Sequence, residues 1–169
     1  MTGRLQVYTG DGKGKTTAAL GLALRAAGAG LRVLVAQFAK GRECSELAAL
    51  ARLGVEVRRY GLPSFLREPP AAADLAAARR GLEEVRTSLA AGEFDVTILD
   101  EANIAVEFGL FSVNELLDAV ASRAPHVEVV VTGRHAHPKL VECADLVTDM
   151  HEVKHYYHDG VLARKGIED

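Results

Sequence analysis

Thr9-Gly10-Asp11-Gly12-Lys13-Gly14-Lys15-Thr16-Thr17 is the stretch on which the fold turns. It follows a short apolar run, Leu5–Thr9, and leads into the apolar stretch Ala18–Ala27, so the chain reads strand, glycine-rich loop, helix. Such a junction binds phosphate for a physical reason. Glycine tolerates positive φ, so consecutive backbone N–H groups turn inward around an anion, and the following helix N-terminus adds partial positive charge. Lys15 is placed to bridge phosphate oxygens, and Thr16 to offer its hydroxyl to Mg²⁺. The usual pattern G-x-x-x-x-G-K-[ST] has glycine where Thr9 stands, and here Gly10 comes one step later. A dinucleotide-binding G-x-G-x-x-G would require glycine at the position of Lys15. A purely structural turn leaves Lys13, Lys15, Thr16 and Thr17 unexplained beside the glycines.

Working outward, short runs rich in Val, Ile and Leu alternate with helical patterns, the signature of βαβ units around a mostly parallel sheet with helices on both faces. Six or seven strands are expected, the clearest being Leu5–Thr9, Arg32–Gln37, Val55–Arg59, Val96–Leu99, Val127–Val131 and Leu146–Met150, all read as buried on both sides. Ala72–Ala91 has helical spacing at Leu75, Leu82, Val85 and Leu89, begins after Pro69-Pro70 and meets a capping glycine at Gly92. Ser112-Val113-Asn114-Glu115 is a capping box that opens a second helix, with Phe111 positioned to staple onto Leu116. The polar stretch Glu152–Asp169 is expected to form a short hairpin around Asp159-Gly160, acting as a flap or an interface. No repeat or linker divides residues 1–169, so one domain is expected, with the α/β, P-loop NTPase-like (RecA-like) three-layer architecture.

A second element agrees with the loop. Val96-Thr97-Ile98-Leu99-Asp100-Glu101 is a buried strand ending in two carboxylates, where a phosphate-loop protein keeps its acid for Mg²⁺. Asp100 is the metal candidate alongside Thr16. Val127–Val131 exits into Thr132-Gly133-Arg134, and strand carboxyl ends line the ligand crevice in such sheets, so Arg134 is a candidate phosphate or substrate contact. His151-Glu152-Val153-Lys154-His155 spells the zinc hydrolase string H-E-x-x-H, but its surroundings read as extended chain and turn rather than helix. In a strand those histidines lie about 13 Å apart, too far to share one ion. His135 and His137 read as surface residues without a third ligand.

Composition narrows the classes. The chain has 169 residues, 49% hydrophobic and 25% charged, with 20 basic against 23 acidic residues, a net charge of −3, and no Trp. That balance disfavours nucleic-acid and membrane-surface partners, which select clustered Lys and Arg. Cys44 and Cys143 form no CxxC pair and read as small buried residues of a reducing compartment. No run is long enough to span a membrane and no signal-peptide stretch is evident, so a cytoplasmic location is expected.

These residues resemble a known family, the P-loop type of ATP:corrinoid adenosyltransferase. The resemblance runs through VYTGDGKGKTTAALGLALRAAG at Val7–Gly28, VAQFAKG at Val35–Gly41, TILDEAN at Thr97–Asn103, VTGRHAHPKL at Val131–Leu140, DLVTDM at Asp145–Met150 and VKHYYHDGVLARKGIE at Val153–Glu168. The displaced first glycine is the family's own form of the loop, with Asp11 where the family usually has Asn, and the H-E-x-x-H string falls in a closing segment with no zinc role. The resemblance implies transfer of the 5′-deoxyadenosyl group of ATP to cobalt(I) of a corrinoid, releasing triphosphate, with Mg²⁺ or Mn²⁺ required. It implies that ATP lies reversed in the loop, with Gly10, Asp11, Gly12, Lys13, Gly14, Lys15, Thr16 and Thr17 around its phosphates. It further implies Thr16 and Asp100 for the metal, Glu101 as a second-sphere or ribose contact, and Lys15, Asp100, Glu101 and Arg134 as the catalytic set. A flavoprotein reductant such as flavodoxin and a homodimer are implied partners. Two places depart: Tyr60–Leu66 replaces a stretch that usually carries two corrinoid-contacting aromatics, leaving Phe65, and the chain starts near its first strand without the family's common N-terminal extension.

The fold alone also accommodates a nucleoside kinase or NTPase, which would need a base or positioned water near Glu101. A nucleotide-gated corrinoid-binding protein without turnover is the other alternative, kept open by Leu62–Leu66.

Overall fold

The computed structural model describes residues 2–39, 45–62 and 69–168. Among them six strands, β1 (Leu5–Thr9), β2 (Val33–Gln37), β3 (Glu56–Arg59), β4 (Val96–Asp100), β5 (Glu128–Thr132) and β6 (Leu146–Asp149), make one sheet in the order β3-β2-β4-β5-β1-β6. Every pairing is parallel. The α/β, P-loop NTPase-like architecture read from the sequence is the observed one. β5 separates β1, which carries the glycine loop, from β4, which carries Asp100, so the two reach each other only across the carboxyl end of β5.

Helices cover both faces. α1 (Lys15–Gly28) and α2 (Glu46–Arg52) lie over one core, where Ala19, Ala23 and Leu50 pack with Val33, Val35, Ile98 and Val130. α3 (Ala72–Ala91), α4 (Ala102–Glu107), α5 (Val113–Ala121) and α6 (Pro138–Cys143) accompany the other core, around Val7, Leu99, Val129 and Val131. α3 has the expected bounds and ends at Gly92 in the left-handed conformation, φ 64°. α5 has its capping box: the Ser112 hydroxyl accepts from Glu115 N–H, and the Glu115 carboxylate accepts from Ser112 N–H. Phe111 and Leu116, flanking that cap, are both buried in the same core.

Four expectations are corrected. β3, a sheet-edge strand paired with β2, is not buried on both sides: Glu56 and Arg59 are exposed, and Val57 and Arg58 are half-buried. β6 is exposed along its whole length rather than buried on both sides, because among the described residues it pairs only with β1 at the sheet edge and no helix covers it; Leu146 and Val147 are 45% and 41% exposed. The segment around Asp159-Gly160 is not a hairpin: Tyr156–Asp159 is a single turn of 3₁₀ helix ending at Gly160. Cys143 is exposed, since it ends α6, a short surface helix that buries only Leu140. Cys44 lies outside the described residues.

Where α3 crosses the sheet, Gly81 admits a close approach. A Cβ there would lie 2.2 Å from the ring of Tyr60, which stacks at 5.5 Å on Phe38 and donates from its hydroxyl to Glu84 at 2.8 Å. Overpacking of this kind costs about 1–3 kcal/mol, offset in part by the better helix propensity of alanine. Gly81→Ala is therefore expected to lower the melting temperature by roughly 2–6 °C, measured by calorimetry, at 2–4 °C per kcal/mol for a chain of this length.

Candidate functional site

The glycine loop leaves the carboxyl end of β1 and enters α1, so it lines the crevice where strand carboxyl ends collect. The residue that follows β1 has to be glycine. Gly10 holds φ 93°, and a Cβ on it would sit 2.1 Å from Asp149 Oδ1 and 2.5 Å from Met150 O. The loop is pressed against the end of β6 and anchored there, with Gly12 N–H donating to Met150 O at 2.6 Å. This close approach explains the glycine's position one step later than in the usual pattern.

Lys15, the first residue of α1, is 8% exposed, and its Nζ donates to the carbonyls of Gly10 and Gly12 at 2.7 Å each. Its ammonium is thus held over the interior of the loop. Burial depresses its pKa first, the Arg134 charge depresses it further, and Glu101, Asp11 and Asp149 oppose both. Beside it, the Thr16 hydroxyl donates to Asp100 Oδ1 at 2.8 Å. Asp100 is fully buried, and its carboxylate also accepts from the Thr132 hydroxyl at 2.8 Å and from Gln37 Nε2 at 3.2 Å. Thr132 closes the gap left by β5 between the loop and β4, and its hydroxyl accepts from Glu101 N–H at 3.0 Å.

Asp100 therefore lies beneath Thr16, whereas Glu101 turns into the cleft from a left-handed backbone, φ 59°. The cleft has a volume of about 940 Å³, and Asp11, Lys13, Lys15, Thr16, Glu101 and Arg134 all line it. The glycine loop, the acids after β4 and the arginine after β5, far apart in the chain, converge on one crevice. Phe65, the remaining candidate, lies outside the described residues.

The whole arrangement matches one family model, described as ATP:corrinoid adenosyltransferase BtuR/CobO/CobP, over residues 1–168. The chain belongs to this family. It is 37% identical over 169 residues to a corrinoid adenosyltransferase of Pseudomonas aeruginosa, covering 98% of this chain and 83% of that protein. It is 36% identical over 167 residues to a corrinoid adenosyltransferase of Escherichia coli K12, covering 98% and 85%. A corrinoid adenosyltransferase from a Sinorhizobium species is 34% identical over 171 residues, covering 98% and 80%.

Within this adenosyltransferase the histidine string is not helical, as its surroundings suggested. His151–His155 contains no helix, Val153 is 96% exposed, His151 pairs with Asp149 at 3.5 Å, and His155 Nδ1 accepts from Tyr157 N–H at 3.0 Å. No cluster of three or more His, Cys, Asp or Glu suited to a metal occurs among the described residues. His137 caps α6, accepting from Lys139 N–H.

Sequence reasoning missed the far wall of the cleft. His155 and Gly166–Glu168 line it, and Lys13 Nζ donates to Ile167 O at 3.2 Å. This tail is clasped by Glu168, whose carboxylate accepts from Tyr156 OH and pairs with Arg164 at 3.1 Å; these contacts lower its pKa to about 2. Gln37 and Thr132 were missed as well, although both sit at the carboxyl ends of strands beside Asp100, the position rule that singled out Arg134.

Proposed function

We infer that this protein transfers the 5′-deoxyadenosyl group of ATP to cobalt(I) of a corrinoid and releases inorganic triphosphate. The observation that carries the reading is the glycine loop with buried Lys15, joined through Thr16 to Asp100, in a chain matched to the adenosyltransferase family along residues 1–168. In this reaction the Co–C5′ bond forms as the C5′–O bond breaks, and the electron pair leaves on the triphosphate. Cobalt(I) is itself the nucleophile, so the protein supplies neither a nucleophilic side chain nor a base to activate one. Its task is to hold two partners in line and neutralise a leaving group.

The residues present suit that task. Loop N–H groups between Gly10 and Thr16 other than that of Gly12, which Met150 O occupies, donate to the phosphates at the α1 N-terminus, with Lys13 and Lys15 countering their charge. Arg134, which lines the same cleft, adds to that countercharge, and Glu101 contacts the ribose or orders the second sphere. Mg²⁺ belongs to the proposal, and the donor set fits it. Thr16 offers a hard hydroxyl oxygen, the buried Asp100 carboxylate beneath it orients that oxygen and supplies negative charge, and a site with few protein ligands suits an ion that keeps waters and substrate phosphates around it. By donating its proton to Asp100, Thr16 leaves its oxygen lone pairs available to a cation. When bound, Mg²⁺ adds charge neutralisation to the triphosphate. Corrinoid contact at Phe65, a homodimer and a flavoprotein reductant such as flavodoxin complete the reading.

Incubation with ATP, Mg²⁺ and chemically reduced cobalamin is expected to yield a light-sensitive adenosylcorrinoid and triphosphate, resolved by visible spectroscopy and anion-exchange chromatography. ADP and phosphate as the only products would refute it.

A further inference from the structure

Asp11 places a carboxylate in the cleft that the preceding reading assigns to a triphosphate; it lines that cleft with its side chain 70% exposed. Like charges at such range oppose binding unless one is compensated. A compensating group faces it. His135, in the turn after β5, sets Nε2 3.3 Å from Asp11 Oδ1 and Nδ1 2.6 Å from Glu107 Oε1 at the end of α4.

Two features show that this contact is held in place. The His135 backbone is left-handed, φ 51°, a conformation that non-glycine residues adopt uncommonly and that surrounding contacts must maintain. Its ring also lies between two carboxylates that only accept, and a neutral imidazole has one N–H while the imidazolium has two. Both contacts are satisfied together only by the charged ring. Consistent with this, the hydrogen bond and charge of Glu107, followed by the charge of Asp11, raise the His135 pKa above its ordinary value. Among the described residues Glu107 from α4 and Asp11 from the glycine loop are the charged groups paired with the ring, and Arg134, which precedes it in the chain, lines the cleft.

We propose that protonated His135 is a positioning residue that holds and screens Asp11, so that ATP affinity depends on the His135 charge only while residue 11 is acidic. The proposal rests on the assignment of ATP to this cleft. Its sign follows from the raised pKa: the compensated pair is intact at pH below that pKa and is lost as pH rises through it. The ratio of the ATP Kd of the unaltered chain to that of Asp11→Asn therefore rises with pH, and taking the ratio cancels the titration of ATP itself.

The test is calorimetric titration with MgATP from about pH 5.5 to about pH 9, bracketing histidine titration. His135→Asn keeps a residue tolerant of the left-handed backbone and removes the charge. At low pH it is expected to weaken ATP binding about three- to fivefold, the upper part of the range for exposed charge pairs, and by less than about twofold in the Asp11→Asn background. Glu107→Gln, which leaves Asp11 untouched, is expected to move the midpoint of the pH dependence down toward the ordinary histidine value near 6.5. Equal effects of His135→Asn in both backgrounds, or a flat ratio across the pH range, would overturn the inference while leaving the ATP site standing. Failure of the unaltered chain to bind ATP would overturn both.

Discussion

Lys15→Ala is expected to abolish measurable ATP binding and to lower adenosyl transfer by about 10³-fold, an effect at the upper end of what removal of one preorganised charge donor produces. Three features of the site make the loss this large. Lys15 is the buried cation of the loop, so its attraction to phosphate is screened less than that of an exposed lysine such as Lys13. Its ammonium is already directed by the Gly10 and Gly12 carbonyls, so little ordering remains when an anion arrives. Arg134 and Lys13, the other cations lining the cleft among the described residues, are exposed, and cannot take over a position enclosed by the loop. Lys15→Arg is expected to rescue little, because the planar guanidinium does not fit between two converging carbonyls. Stability is expected to fall by about 1–3 kcal/mol, since the Gly12 carbonyl loses its partner in buried surroundings and the Gly10 carbonyl in part-buried ones, although alanine is a good helix former at this first helical position. Calorimetric titration with ATP, a transfer assay and a thermal melt on the same preparation separate these effects. Near-normal affinity in a folded Lys15→Ala protein would place ATP elsewhere.

The features legible in the sequence are those whose cause is local. Gly10 to Thr17 announce a phosphate loop because the chemistry and the backbone requirement fall on consecutive residues, and α3 and α5 are readable because their caps and apolar spacing are contained within them. What depends on the neighbour of an element was not readable. The run Leu146–Met150 has the same apolar character as a central strand, but its exposure follows from its place at the sheet edge. α4 and α6 have six residues each, too few to display a helical period. The seat of Asp100 required knowing that β5 lies between β4 and β1, because only then do Thr132 and Gln37 become its partners. His135 looked like a surface residue and is exposed, yet its φ and its two carboxylates, contributed by distant segments, make it part of the cleft's electrostatics.

Asp100 combines a structural and a chemical duty, and two substitutions separate them. Asp100→Ala removes the acceptor toward which Thr16, Thr132 and Gln37 converge, and both Thr132 and Gln37 are fully buried. Stranding buried donors and opening a cavity together cost about 3–4 kcal/mol, so a fall in melting temperature of roughly 6–16 °C is expected along with loss of transfer. Asp100→Asn is a different perturbation. The amide oxygen continues to accept from the two threonine hydroxyls, while the new NH₂ would meet Gln37 Nε2, donor against donor. Gln37 has a way out, because its Oε1 is buried without a hydrogen-bond partner among the described residues. A flip of the Gln37 amide turns that oxygen toward the new NH₂ and restores the contact. Asp100→Asn is therefore expected to melt within about 3 °C of the unaltered protein, corresponding to ~1 kcal/mol. Transfer in that variant is expected to fall about 10²-fold, the scale on which groups that orient a metal ligand act, because the negative charge and the alignment of Thr16 are lost. Thermal melts and transfer rates of both variants distinguish the duties. If Asp100→Asn unfolds as readily as Asp100→Ala, the carboxylate charge is itself structural; if it transfers at the normal rate, the Thr16–Asp100 pair does not serve a cation.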